Sequence, residues 1–159
     1  MWRRCLLALT GAWGMGLAIA PVMAQPLPKQ AIFENLQLRP NFAPNPQLLR
    51  GVSGGSEPAA EFLGIEDTPT GSCVGFIDNH ADHRLSLMTF FNDLELSVES
   101  AGDTVLVVKG PGGVWCNDDA VGQNPAIRGE WQKGLYQVWV GSRGQRQYYP
   151  YILEIHHRK

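Results

Sequence analysis

The chain has 159 residues, with 13 Lys and Arg against 15 Asp and Glu and a formal net charge of −2. So even a balance gives no electrostatic basis for gripping nucleic acid or an anionic membrane surface. Length and mixed composition suit one globular domain around one core.

The opening MWRRCLLALTGAWGMGLAIAPVMAQP has the layout of a secretory signal. Arg3 and Arg4 lead, Cys5 to Ala20 is mostly apolar, and Val22-Met23-Ala24 supplies the small residues of a cleavage site. Cutting after Ala24 removes residues 1–24 and leaves a slightly more acidic chain, at about −4. An uncleaved membrane anchor is the competing reading, because the apolar run is near the shortest that spans a bilayer. No later segment could span, so the mature chain is expected to carry no transmembrane anchor and to work in the periplasm or outside the cell. Export leaves Cys73 and Cys116. Two cysteines in an exported chain are expected to pair, with two free thiols as the alternative.

Residues 25–58 read as an extended N-terminal segment. QPLPKQ is a loose arm, and the three prolines of RPNFAPNP bias their predecessors away from helix. GVSGGSEP is small and polar, a turn or flexible loop that could end a short strand, and AAEFLG could form one helical turn. Residues 59–155 read as a β-sandwich domain, and residues 156–159 as a basic tail that holds His156 and His157.

Within the domain the signal is β. Leu85 and Leu87 alternate with Ser86 and Met88, and Leu94, Leu96 and Val98 alternate with Glu95, Ser97 and Glu99. Such a period of two marks half-buried strands. Asn92-Asp93 is a plausible tight turn between them. TVLVV is a continuous apolar run, fit for a strand covered on both sides, and GPGG turns it back into VWCN. In LYQVWVGS, Tyr136, Val138 and Val140 share one face while Leu135, Gln137 and Trp139 share the other. If the first face is core, Trp139 is half-exposed and could stack on a sugar or a partner side chain. Otherwise it packs against Trp115 or Tyr149 on a covered face. Trp131 reads as core. Pro150 cannot donate to a ladder, so QYYPYILEI is expected at an edge or with a bulge. Short strands with frequent turns give an all-β, antiparallel, jelly-roll-like sandwich, with a small closed barrel as the alternative.

A hairpin centred on Pro111-Gly112 would set Asp103 opposite Ala120 and Val105 opposite Asp118. Asp103, Asp118 and Asp119 then gather at the open end of the hairpin, with amide oxygens from Asn117 and Asn124 close by. Calcium takes six to eight hard oxygens of this kind. The same residues are equally at home as turn caps that bond nearby backbone amides.

AGDTVLVVKGPGGVWCNDDAVGQNP followed by GLYQVWVGS resembles the bacterial pre-peptidase C-terminal domain over about Gly71 to Ile155. The resemblance implies a secreted β-sandwich of the kind that accompanies proteases, sometimes binds calcium and assists adhesion to substrate. It makes Asp103, Asp118 and Asp119 the positions to inherit an ion-binding role.

Catalytic motifs fare poorly. Gly51-Val52-Ser53-Gly54-Gly55 matches the nucleophile elbow G-x-S-x-G, but that motif needs a strand-to-helix turn in an α/β sheet. His80, Asp82 and His83 could meet one transition metal if they share a turn. The sequence therefore points to an exported, non-enzymatic binding or adhesion module for an extracellular or envelope protein or polysaccharide, with a calcium ion at the acidic loop. A small metal-dependent hydrolase built on His80, Asp82 and His83 is one alternative. A metal-free envelope or inhibitor protein that binds another protein is the other.

Overall fold

The computed structural model describes residues 33–158. The expected signal segment and the QPLPKQ arm lie outside the described residues.

Two sheets face each other. The larger contains β1 (Asn35–Leu38), β3 (Glu57–Pro58), β6 (Phe76–Ile77), β7 (His83–Leu87), β9 (Thr104–Gly110), β10 (Gly113–Asn117) and β12 (Gly134–Ser142). The smaller runs β11 (Ala126–Trp131), β8 (Phe91–Ser100), β13 (Pro150–His157) and β2 (Gln47–Val52), all antiparallel. A hairpin of β4 (Asp67–Thr68) and β5 (Gly71–Ser72), with helix α1 (Ala59–Leu63), covers part of the outer face of the larger sheet.

The period-two pattern builds the core between the sheets. Leu94, Leu96 and Val98 of β8 meet Leu153 and Ile155 of β13 and, from the larger sheet, Leu85, Leu106, Tyr136 and Val138. A second cluster lies beyond the larger sheet, where Val105, Val107 and Trp139 pack against Ala59, Ile77 and the two half-cystines. Residues 104–108 are therefore buried on both faces, as the TVLVV run requires. The expected hairpin register holds from Gly110 opposite Gly113 to Leu106 opposite Asn117. It ends there, short of the expected Val105–Asp118 and Asp103–Ala120 pairs, and Thr104 N–H bonds the Gln123 carbonyl. Cys73 and Cys116 are bonded, which pins the β4–β5 hairpin to β10. Closing that loop contributes roughly 4 kcal/mol on the chain-entropy picture.

Four expectations need correction. Residues 25–58 are not wholly outside the sandwich: β1 pairs with β7, in parallel, and β2 pairs with β13. Residues 156 and 157 are not tail but the end of β13, opposite Glu95 and Leu94, and Asn45 bonds the His157 backbone through both its amide atoms. Asn92 and Asp93 lie within β8, so the turn falls at residues 88–90, where the chain crosses from one sheet to the other. Pro150 starts an interior strand rather than an edge. The first position tolerates a residue that has no N–H to donate.

Candidate functional site

Three places gather chemistry-bearing residues. At the open end of the β9–β10 hairpin, burial and then the charge of Asp119, with a smaller push from Asp118, hold Asp103 above the usual carboxylate range. A protein cation already stands among them. Arg143 Nη1 donates to Asp118 Oδ2 at 3.1 Å, and its backbone N–H donates to the Asp103 carbonyl. The amide oxygens are engaged as turn caps: Asn117 Oδ1 accepts from Ala126 N–H and Asn124 Oδ1 from Ser100 N–H. The Gln123 carbonyl accepts from Thr104 N–H, and Val121 and Asn124 bond to each other. What is left is the carboxylates of Asp103 and Asp119 and one oxygen of Asp118, short of the six to eight oxygens of a calcium shell. Among the described residues no three His, Cys, Asp or Glu are placed to hold a metal ion. The residues present do not fit calcium.

The second place is buried. Strand β12 pairs with β7 as far as Val138 and with β6 at Ser142, so Val140 lies where one partner strand ends and the other begins. Asp82 Oδ2 accepts the Val140 N–H at 2.6 Å, and Gly54 N–H donates to the Val140 carbonyl. Asp82 is 1% exposed and its Oδ1 has no partner among the described residues. Burial pushes its pKa up to about 8, the Val140 bond offsets part of that, and Asp78's charge adds a little. His83, on the core face with Leu85 and Leu87, bonds the Glu34 carbonyl through Nδ1 at 3.0 Å and Tyr151 Oη through Nε2 at 2.8 Å. Because a carbonyl only accepts, Nδ1 carries the proton and the Tyr151 hydroxyl donates to Nε2. Burial lowers the His83 pKa, partly offset by the Glu34 carbonyl. Burial and the Asp82 charge raise that of Tyr151.

Neither imidazole nitrogen of His83 is therefore free for a metal, while His80 is exposed and rests on Asn79. The proposed His80, Asp82 and His83 set does not assemble. Ser53 is likewise no nucleophile in a cleft. It is fully buried, bonded to Ser142 Oγ at 2.8 Å, and accepts from Tyr149 N–H. The GVSGG stretch is wedged rather than flexible: Gly55, at φ 148°, lies against the Ile77 backbone, where any Cβ would collide.

The third place is a cleft of about 320 Å³ between two sheet edges. β10 ends one sheet and β11 ends the other, and both lie on the same side of the sandwich. The floor is aromatic. The Trp131 and Tyr136 rings are 5.0 Å apart, and half-buried Trp115 lies 6.3 Å from Trp131 and 6.4 Å from Tyr136. Ile127 and Trp131 point inward from β11, and Gly129 holds the inward position between them. A Cβ built there meets nothing within 4 Å. The hollow is the place of a missing side chain.

Trp139, expected either as a stacking residue or on a covered face, is covered. It is 3% exposed beneath Phe62 of α1, with ring centroids 6.1 Å apart, because a layer absent from the strand pattern closes over it. The sequence reading missed the cleft. An isolated Gly129 inside the alternation of AIRGEW was its one local signal. The buried cluster also had a signal, since His83 shares parity with Leu85 and Leu87.

No protein-family model matches the chain. Among solved structures, the chain is similar to the pre-peptidase C-terminal domain of collagenase from Bacillus anthracis, with 10% identity, 77% of this chain and 95% of that chain covered, and a TM-score of 0.46. That domain is of the kind the motif resemblance named, and at this identity and overlap the likeness bears on neither ligand nor activity. A relative in Synechococcus elongatus, the uncharacterized protein Synpcc7942_2126, is 31% identical over 147 residues, which cover 90% of this chain and 94% of the relative. The chain belongs to the same family as that Synechococcus elongatus protein.

Proposed function

We propose that the protein is a non-enzymatic binding module that seats its ligand in the cleft between β10 and β11. The observation that carries this reading is the aromatic-floored hollow over Gly129, open to solvent beside two sheet edges. Concave sites that combine aromatic surface with a few polar groups are the usual seats of ligands. The residues otherwise suited to acid–base or nucleophilic work are engaged in the sheet: Asp82 at Val140, His83 at Glu34 and Tyr151, Ser53 at Ser142. The Cys73–Cys116 bond favours an oxidising compartment, the periplasm or the exterior. Calcium has no part in this reading, because Arg143 supplies the positive charge among the acidic residues.

The test is an amide and indole NMR titration of residues 25–159 with a panel of short peptides and oligosaccharides. Ligands are expected to shift the Trp115 and Trp131 indole signals and the Gly129 amide, and Trp115→Ala is expected to abolish the shifts. Binding that leaves those signals in place, or a panel without any hit, overturns the reading.

A further inference from the structure

The cleft wall on the β11 side is main chain. Ile127 to Gln132 line it continuously, yet Arg128 and Glu130 point to solvent, so what those two present to the cleft is backbone. Among the described residues β11 has a partner, β8, on one side only. Its outer edge is anchored at both ends: Asn117 Oδ1 takes the Ala126 N–H, and the Tyr136 hydroxyl donates to the Gln132 carbonyl at 3.0 Å. Between these anchors, among the described residues, no hydrogen bond reaches that edge. The facing edge of β10 differs, because Thr68 and Thr70 of the disulfide-pinned hairpin bond the Cys116 backbone.

The hydroxyls of the lining are spoken for, since Thr70 donates to the Cys116 carbonyl and Tyr136 to Gln132, and Arg128 is held by Asp93, which leaves the Glu130 and Gln132 side chains. An unpaired backbone edge beside an apolar hollow is instead the arrangement that adds a strand. Main-chain bonds give affinity, and a pocket for one side chain gives specificity.

Charge narrows the occupant. Asp93 clasps Arg128 through Nε and Nη2, whereas Glu130 forms no ion pair among the described residues. The uncompensated charge on the cleft lining is thus negative. In an added strand, the residue next to the one that enters the hollow points the opposite way, toward the side where Glu130 projects.

Resting on the binding-module reading, we infer that the ligand is an extended peptide segment of a partner protein, paired along the free edge of β11, with one large apolar side chain in the hollow over Gly129 and a lysine or arginine beside it in sequence. Gly129→Leu fills the hollow from within. No atom obstructs the new side chain at its root, and Gly129 is not among the positive-φ glycines, so the variant is expected to fold.

The experiment selects a random heptapeptide display library on immobilised wild-type protein, with counter-selection on Gly129→Leu. Enriched peptides are then measured by tryptophan fluorescence, alongside maltohexaose and chitohexaose. Expected are sequences that share a large apolar residue flanked by a basic one. Affinity should fall at least tenfold for Gly129→Leu, at least threefold for Glu130→Lys, and beyond detection when alternate peptide amides are N-methylated. N-methylation alters only the peptide, so it keeps the test decisive if a variant fails to fold. The absence of enrichment, or binding indifferent to N-methylation, overturns the inference. Should an oligosaccharide bind and Gly129→Leu abolish it, the peptide assignment falls while the cleft remains the ligand seat. Should neither class disturb the tryptophans, both readings fall.

Discussion

The carboxylate of Asp82 accepts the backbone N–H of Val140 at 2.6 Å, at the point where β12 exchanges β7 for β6 as its neighbour. A side chain thus completes a ladder that the strands leave broken. Its folded pKa, raised to about 8, lies above the ordinary carboxylate value. Between about pH 4 and pH 8 the folded state holds a proton that the unfolded state has lost. Stability therefore falls as pH rises through that window, by at most about 1.4 kcal/mol per pH unit, and levels off above it. Asp82→Asn keeps an acceptor for Val140 and removes the slope. Urea unfolding at pH 5, 7 and 8.5 measures this, and an unchanged slope in the variant would refute it.

His83 works in the opposite sense. Its folded pKa is lowered, so below about pH 6.5 the unfolded state binds a proton that the folded state refuses, and stability is lost on acidification. In an Asp82→Asn background this acid loss should stand alone, and His83→Gln should remove it. Nitrogen NMR at pH 7 is expected to find the imidazole proton on Nδ1, and a proton on Nε2 would contradict the assigned bonds to Glu34 and Tyr151.

Opening the Cys73–Cys116 bond releases the β4–β5 hairpin from β10. The double variant Cys73→Ala, Cys116→Ala is expected to lose roughly 4 kcal/mol, less to the extent that the unfolded chain stays compact. Denaturant midpoints of the two proteins give the value directly. A loss below about 1 kcal/mol would mean that the flap is held chiefly by Thr68, Thr70 and Asn117.

Arg143 occupies the acidic end of the hairpin, and its half-exposed pair with Asp118 stabilises by no more than about 1 kcal/mol. With Arg143 present, the melting temperature should ignore both calcium and EDTA. Arg143→Ala leaves Asp103, Asp118 and Asp119 without their cation, and its melting temperature is expected to rise when calcium is added. A parent protein that calcium already stabilises would overturn this account of the loop.

Trp139 and Trp115 separate stability from binding. Trp139 fills the second core cluster, so Trp139→Ala should cost about 3–5 kcal/mol. Half-buried Trp115 should cost less on truncation while ligand-induced NMR shifts disappear. Comparable losses of stability at both positions would place Trp115 in the core instead of the cleft.

Local alternation and turn chemistry were sufficient for much of the fold. The inward faces of β8 and β12, the doubly buried residues 104–108, the register across Pro111-Gly112 and the cysteine pairing all follow from patterns within a few residues or from simple counting. What the sequence alone could not decide was who covers whom. Trp139 alternates like an outward residue, yet α1 and the disulfide-bound hairpin close over it. Arg143 reaches the acidic loop from the far end of β12, and Asp82 reaches Val140 across a seam between strands. The hollow over Gly129 is walled by Trp115 and Tyr136, which approach from the other sheet. Burial, charge compensation and empty volume depend on neighbours distant along the chain, and only tertiary packing brings them together.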